Sequence, residues 1–387
     1  MAEKDPYEKL RRVMNLFFLK VPKTKIFHHM LELIYTPEEA EILSNFGMPY
    51  IDEMRINRII RKSGTTKSEE QVQEMFENLV KKGALFKRIE KSGKPIYSLM
   101  PFIPGLFEFY FMSKADPPEK LKEVAQVLED YFFTTFAPET FNASKYQFFR
   151  VLAHQKAVEK VIEIGEEVPA EFQILPFEIV SQYISKAEHI AVGRCACRDH
   201  SEITDGAPRC DKPRDVCMVF GRVADYWVGK GIGHYVNQAE AMEVLRRAEE
   251  AGLVHSTTNN MEFETELPGL ICNCCSCCCF IMQGLHKVNR PRGIAQSNFD
   301  PQIDRSLCKV CKKCVELCPM GAIFHHQPHT EDLKDNFIYI TLDKCIGCGV
   351  CASNCPNDAI TLKKVRAQIP EKSAAAAGAR YEQERFH

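Results

Sequence analysis

The sequence predicts an α+β chain of several domains: a helical N-terminal third closing on a two-stranded hairpin, a cysteine-rich α/β middle, and a small C-terminal module built from one pattern used twice. Three observations predict it. Apolar stripes at helical spacing, each opened by a capping signature, occupy residues 36–83 and are followed by two short strand-like runs. None of the 18 cysteines precedes Cys195; ten lie between Cys195 and Cys279 and eight between Cys308 and Cys355. The last eight form the same C-x2-C-x2-C-x3-C-P run twice.

Composition bounds the function. The chain has 387 residues, 45% hydrophobic and 26% charged, as expected of a globular protein of two or three domains. A formal net charge of −2 argues against a chain that binds polyanions along its whole surface, though a local basic patch is compatible with it. No uninterrupted apolar run is long enough for a membrane span, and the opening MAEKDPYEKLRR lacks the apolar core of a secretory signal, so the expected location is the cytoplasm. There, short cysteine spacings point to metal ligation rather than disulfides.

In the N-terminal third, Thr36 caps a helix with Pro37 at its first position and Glu39 completing the box. A second helix is expected within Asp52–Lys62, ending at Gly64. Ser68 and Gln71 open a third, with Val72, Met75, Phe76, Leu79 and Val80 on one stripe and Gly83 as the stop. Ala84–Glu90 and Ile96–Met100 read as a hairpin around Ser92-Gly93-Lys94-Pro95. Three helices and a two-stranded wing is the order of a winged helix, placed at residues 1–112. Its third helix carries Glu69, Glu70, Glu74 and Glu77, a poor surface for phosphate, whereas Arg55, Arg58, Arg61 and Lys62 of the second helix and Lys87, Arg88, Lys91 and Lys94 of the wing are basic. Docking to protein is therefore favoured over DNA. Leu99–Met112 is an aromatic run expected to be core or a docking face, and Lys120–Tyr131 an amphipathic helix.

The middle, residues 113–290, holds ten cysteines. Ala191–Arg194 reads as a strand running into a loop, with Cys195 and Cys197 on one face by alternation and Arg194 and Arg198 flanking them. Positive charge there favours thiolates and a reduced cluster, although surface arginines are an equal reading. Cys210 and Cys217 fall in a polar stretch, and Val219–Lys230 is read as a helix carrying Trp227. Asn237 and Glu240 box the start of a helix running to Ala251 and stopped by Gly252. Then come Cys272, Cys274, Cys275, Cys277, Cys278 and Cys279: six thiols in eight residues, costly to leave free because thiolates oxidise. At least one further 4Fe–4S centre is expected, joining part of the first four cysteines to part of this run; zinc or buried free thiols are the rivals.

The C-terminal runs are the most specific signal. In such a pair the first three cysteines of each run hold one cubane and the fourth crosses to the other. Cys308, Cys311, Cys314 and Cys355 should therefore hold one 4Fe–4S cluster, and Cys345, Cys348, Cys351 and Cys318 a second. The prolines after Cys318 and Cys355 steer the chain out of each site, and Gly347, Gly349 and Ala352 let backbone approach the sulfurs. This makes residues 300–365 a module like the two-cluster bacterial ferredoxins. The 26 residues between Cys318 and Cys345, with His325, His326 and His329, read as an insert on the connecting hairpin. The closing residues 371–387, rich in alanine and charge, are expected to be disordered.

Taken over residues 36–363, the chain resembles the 4Fe–4S dicluster-binding proteins of anaerobic bacteria and archaea. The resemblance rests on Leu-Met-Pro-Phe-Ile-Pro-Gly-Leu-Phe-Glu at 99–108, Cys-Ala-Cys-Arg at 195–198, the 272–279 run and the terminal cysteine repeats. It implies cytoplasmic electron transfer with a redox protein partner, a flavoprotein or a metalloenzyme oxidoreductase. No P-loop, nucleophile elbow or dinucleotide fingerprint is present, and Gly229–Gly233 follows a helix, not a strand. A redox-sensing DNA-binding regulator and an oxidoreductase with an active-site cluster in the middle are the two other classes.

Overall fold

The computed structural model describes residues 5–46, 56–89, 92–164, 173–175, 178–261, 269–327 and 336–386. Arg55, Lys91 and His329 lie outside them.

The chain opens with helices α1 (Pro6–Met14) and α2 (Lys25–Ile34), which the sequence reading did not assign. Asp5 and Thr24 cap them through side-chain oxygens. The three expected helices follow as α3 (Pro37–Leu43), α4 (Ile56–Ser63) and α5 (Glu69–Lys81), with both anticipated capping boxes formed. The hairpin is β1 (Phe86–Ile89) paired with β2 (Pro95–Ser98). It leans on the middle of the molecule: Tyr226 donates to the Leu85 carbonyl at 3.1 Å, and Lys230 reaches the carbonyls of Val80 and Lys81 at the end of α5.

The aromatic run is core. It leads into α6 (Phe107–Ser113), and Phe102, Phe107, Tyr110 and Phe111 are all buried. Rings of Phe27, Phe102, Tyr131 and Phe136 meet edge-on or tilted at 4.7–6.4 Å. This apolar core runs on without a break past residue 112 through α7 (Pro118–Tyr131) and α8 (Ala137–Asn142).

The middle is an antiparallel six-stranded sheet in the order β3-β7-β8-β5-β4-β6. In chain order its elements are β3 (Phe149–Leu152), α9 (Gln155–Ile164), α10 (Val180–Lys186), β4 (Ile190–Arg194), α11 (Ala196–Asp205), β5 (Asp215–Phe220), α12 (Gly221–Gly229), β6 (Gly233–Tyr235), α13 (Gln238–Glu250), β7 (Val254–Thr258), β8 (Leu270–Cys274) and α14 (Phe280–Lys287). The Asn237 box and the Gly252 stop formed as expected. Two expectations are corrected. Cys197 lies on a helix rather than in a loop after the strand, because Cys195 takes the N-cap position and α11 then runs to a left-handed Gly206. Cys217 lies in a strand: Val216, Met218 and Phe220 alternate into the core, which also delays the Trp227 helix to Gly221.

The C-terminal module comprises β9 (Phe299–Ile303), α15 (Lys313–Leu317), β10 (Ile323–His326), β11 (Phe337–Ile340), α16 (Val350–Ser353) and β12 (Ile360–Lys364). β10 pairs with β11 and β9 with β12, both antiparallel. His325 and His326 sit on β10, at the base of the connecting hairpin.

The expected disordered tail is instead a helix, α17 (Ala374–Gln383), capped by Ser373. Its alanine face is small enough for Phe18 to lie against Gly378, and Tyr381 is buried with its hydroxyl donating to the Thr140 carbonyl at 3.2 Å. Composition alone misread it because burial is supplied by α1, α8 and their loops, far away in sequence.

One buried histidine sets an acid limit. His200 of α11 lies among Phe107, Phe111 and Phe280, donates from Nε2 to the Ala125 carbonyl at 3.0 Å, and has no partner at Nδ1 among the described residues. Burial holds it down to about 4, against 6.5 when free. A depressed histidine is neutral in both states above pH 6.5, so its stabilising contribution is intact there and is lost as pH falls towards 4. His200→Gln keeps a donor without the titration; between pH 7 and 4 the wild type should lose about 3 kcal/mol more stability than this variant. Parallel denaturation midpoints at the two pH values would refute it.

Candidate metal centres

The C-terminal cysteines form two sets of four, and both sets cross the repeat. Cys308, Cys311 and Cys314 line one cavity with Cys355; Cys345, Cys348 and Cys351 line another with Cys318. These are the crossed sets the spacing predicts. The halves match in detail. Ala322 N–H donates to Cys318 Sγ at 3.2 Å, and Ala359 N–H to Cys355 Sγ at 3.3 Å. The loops turn through left-handed residues at equivalent places: Val310 and Lys312 in the first, Gly347 and Gly349 in the second. The difference follows burial. A Cβ on Gly349 would lie 3.2 Å from Ala157 Cβ and from the His154 backbone nitrogen, whereas its counterpart Lys312 stands in solvent.

The two sets also differ in setting. Cys311 is exposed, beside exposed Lys309, Lys312 and Lys313. Cys348 and Cys351 are buried, and burial pushes both thiols up. The second set faces the middle sheet: His154 N–H donates to the Cys348 carbonyl at 3.0 Å. The His154 ring contacts Ser353 at 3.0 Å and packs 4.8 Å from His255, whose Nδ1 meets Asn273 between Cys272 and Cys274. Nothing in the sequence marked His154, His255 or Asn273; only an isolated buried-polar pattern on facing strands could have suggested them.

In the middle, Cys195 caps α11 and Cys197 lies in its first turn. Cys210 is in the following loop, Cys217 on β5, Cys272 and Cys274 on β8, and Cys279 caps α14. The sulfurs of Cys210, Cys275, Cys277 and Cys278 all lie within 4.8 Å of one another. Cys210 and Cys278 are 3.7 Å apart, as are Cys278 and Cys277. A hydrogen bond from Cys278, helped by the charge of Arg198, pulls Cys275 down to about 5 against burial. Four thiols converging so closely are a soft donor set suited to zinc or an iron–sulfur cluster.

Arg198 is buried, not a solvated surface arginine. It is 2% exposed, donates to the Asn273 carbonyl at 3.3 Å and lies against the Cys210 thiol. Burial works against its charge, but the thiolates of Cys195, Cys275 and Cys217 more than offset this and hold it protonated. Arg194, by contrast, is half exposed and pairs with Asp199.

Comparison with known proteins agrees with the C-terminal architecture. Residues 300–366 match the family of the 4Fe–4S dicluster domain. An uncharacterised ferredoxin of Methanocaldococcus jannaschii is 35% identical over 24% of this chain and 50% of its own length. Pyruvate synthase subunit PorD of the same organism is 43% identical over 18% of this chain and 69% of its own. The archaeal-type NADPH glutamate synthase of Thermotoga maritima is 39% identical, over 17% of this chain and 12% of that one. The chain thus spans about half the length of the first of these relatives and a small part of the last. No solved structure gives a significant match. Among the described residues, no helix is long and apolar enough to cross a membrane.

Proposed function

The chain belongs to the 4Fe–4S dicluster family of ferredoxin-type proteins, and on that premise we propose that it passes single electrons between low-potential redox partners through two C-terminal clusters and a further one in the middle domain. The observation that carries this reading is that each crossed set of four cysteines lines a cavity of its own. Cys308, Cys311, Cys314 and Cys355 would hold one cluster, and Cys345, Cys348, Cys351 and Cys318 the other. The third would be held by Cys210, Cys275, Cys277 and Cys278, whose sulfurs converge. A bound cluster supplies a centre that takes up and returns one electron. The chain's own groups tune it: N–H donors such as those of Ala322 and Ala359 favour the more negative, reduced state.

The order of the relay follows exposure. The exposed set around Cys311 would hold the group that meets the partner and the buried set around Cys348 the one that faces inward, where His154, His255 and Asn273 bridge the C-terminal module to the middle domain. Lys309, Lys312 and Lys313 make the exchange face basic, so the partner presents an acidic one. Since two relatives are named as a subunit of pyruvate synthase and as a glutamate synthase, an oxidoreductase carrying flavin or metal is the partner class. Reversing the three lysines to glutamate should slow electron exchange with an acidic redox protein about tenfold or more at low salt and flatten its salt dependence. An unchanged rate would move the port elsewhere.

The N-terminal helices and hairpin are read as a winged-helix-like docking module. A DNA-binding role is disfavoured because Glu69, Glu70 and Glu74 are exposed on α5 against a single exposed cation of that helix, Lys81.

Metal and sulfide analysis with EPR, on protein purified without oxygen, tests the whole reading. About twelve irons per chain or more, with interacting signals from two C-terminal clusters, are expected. About eight would confine the relay to the C-terminal module, and none would end it.

A further inference from the structure

Among the described residues, the ten middle cysteines divide into two sets according to which thiols neighbour one another. Cys210, Cys275, Cys277 and Cys278 form the compact set. The other six close into a ring. Cys195 stands beside Cys217 and Cys197, Cys197 beside Cys279, Cys279 beside Cys274, and Cys274 beside Cys272. The ring closes because Met218 pairs with Ile271, a register that puts Cys217 opposite Cys272 one step further on, and the two thiols are electrostatic neighbours.

We infer that this six-thiol ring is a second, separate iron–sulfur centre of the middle domain, next to the one held by Cys210 and its neighbours. The inference rests on the reading that the middle cysteines hold iron and sulfide, and deepens it by giving each cysteine to one of two centres.

Four features support it. The ring holds the four thiols that an iron–sulfur cubane takes, and two more. Two helices of adequate length aim their N-termini at it, since Cys195 caps the ten-residue α11 and Cys279 the eight-residue α14; that end of a helix favours an anionic group. The backbone separates neighbours in sequence: Cys274 belongs to the ring and Cys275 to the compact set, and likewise Cys279 and Cys278.

The fourth feature is Arg198. It is 2% exposed, and its Nε and Nη1 have no hydrogen-bond partner among the described residues. Around it stand Cys195 and Cys217 of the ring and Cys275 and Cys210 of the compact set. A buried guanidinium with donors left over, set between two thiol groups, is matched by anionic clusters on both sides.

The test uses the full chain purified without oxygen, with iron and zinc analysis and Mössbauer spectroscopy on the wild type, Cys277→Ala and Cys272→Ala. The signals of the two C-terminal clusters report whether each variant has folded. About sixteen irons or more are expected in the wild type. Cys277→Ala should lose the compact-set spectrum and keep the ring's; Cys272→Ala should do the reverse. If either substitution abolishes all middle-domain iron while the C-terminal signals persist, the ten cysteines serve one centre and the inference is wrong. About twelve irons, lost to about eight in Cys277→Ala and untouched by Cys272→Ala, would overturn it but leave the third cluster standing. About eight in the wild type would overturn both. Zinc, or disulfides in place of the ring thiols, would overturn the inference alone.

Discussion

Replacing Arg198 by methionine should lower the reduction potential of the middle-domain cluster by about 100 mV and weaken its retention. Methionine is shorter but close to arginine in volume, so the change removes charge and donors more than bulk. A unit charge roughly 6 Å from a cluster at an effective dielectric near 20 is worth about 3 kcal/mol, and about 1.4 kcal/mol corresponds to 59 mV for one electron. The sign follows from electrostatics: reduction adds negative charge, which Arg198 stabilises, so its loss makes reduction harder. Retention falls because thiolates near Cys195 and Cys275 lose the cation that holds them ionised; breaking a buried charge arrangement of this kind costs about 3–5 kcal/mol. An EPR-monitored redox titration measures the shift, with the two C-terminal clusters as an internal reference. Middle-domain potentials unchanged within about 20 mV, with full iron content, would mean the guanidinium acts only as packing.

Gly347→Ala should cost about 2–5 kcal/mol and empty the second C-terminal cluster site while sparing the first. The backbone there has φ +69°, and the added methyl carbon would stand 2.3 Å from the Phe299 carbonyl oxygen and from Ser297 Oγ. Neither neighbour can retreat easily: Ser297 already donates to the Gly347 carbonyl at 2.6 Å, and Phe299 begins the strand paired with β12. The equivalent position in the first loop predicts the opposite sign. Val310 is held at φ +53°, which a β-branched residue tolerates poorly, so Val310→Gly should stabilise the apoprotein by about 1 kcal/mol. Thermal denaturation and cluster-specific EPR on both variants decide it. If alanine at 347 is as well tolerated as glycine at 310, the close approach of that loop to the strand is not rigid.

Much of the chemistry was legible because it is written in short-range spacing. C-x2-C-x2-C-x3-C-P constrains thiolates through covalent geometry over a dozen residues, and the structure brought together both crossed sets that the pattern implies. The capping boxes at Thr36, Ser68 and Asn237 were readable for the same reason, each being a contact between residues three apart. Helices α2 and α17 were missed because they are buried by α7 and α8, about a hundred and more than two hundred residues away, and α1 because it packs on α2 and α3. Tyr131 and Thr140 illustrate this: they receive Phe27 and the hydroxyl of Tyr381 respectively.

The sequence by itself therefore determined the cysteine spacing of the C-terminal module, which matches a 4Fe–4S dicluster domain, and the presence of a thiol-rich middle. Only the tertiary structure decided which of the ten middle thiols share a site. Cys210 meets Cys278 across 68 residues, while Cys278 and Cys279, joined by one peptide bond, face different partners. The same holds for Arg198, whose burial between two thiol groups requires α11, β5 and the turn after β8 to converge. Spacing along a chain fixes distance only over a few bonds; beyond that, proximity is set by how strands register and helices pack.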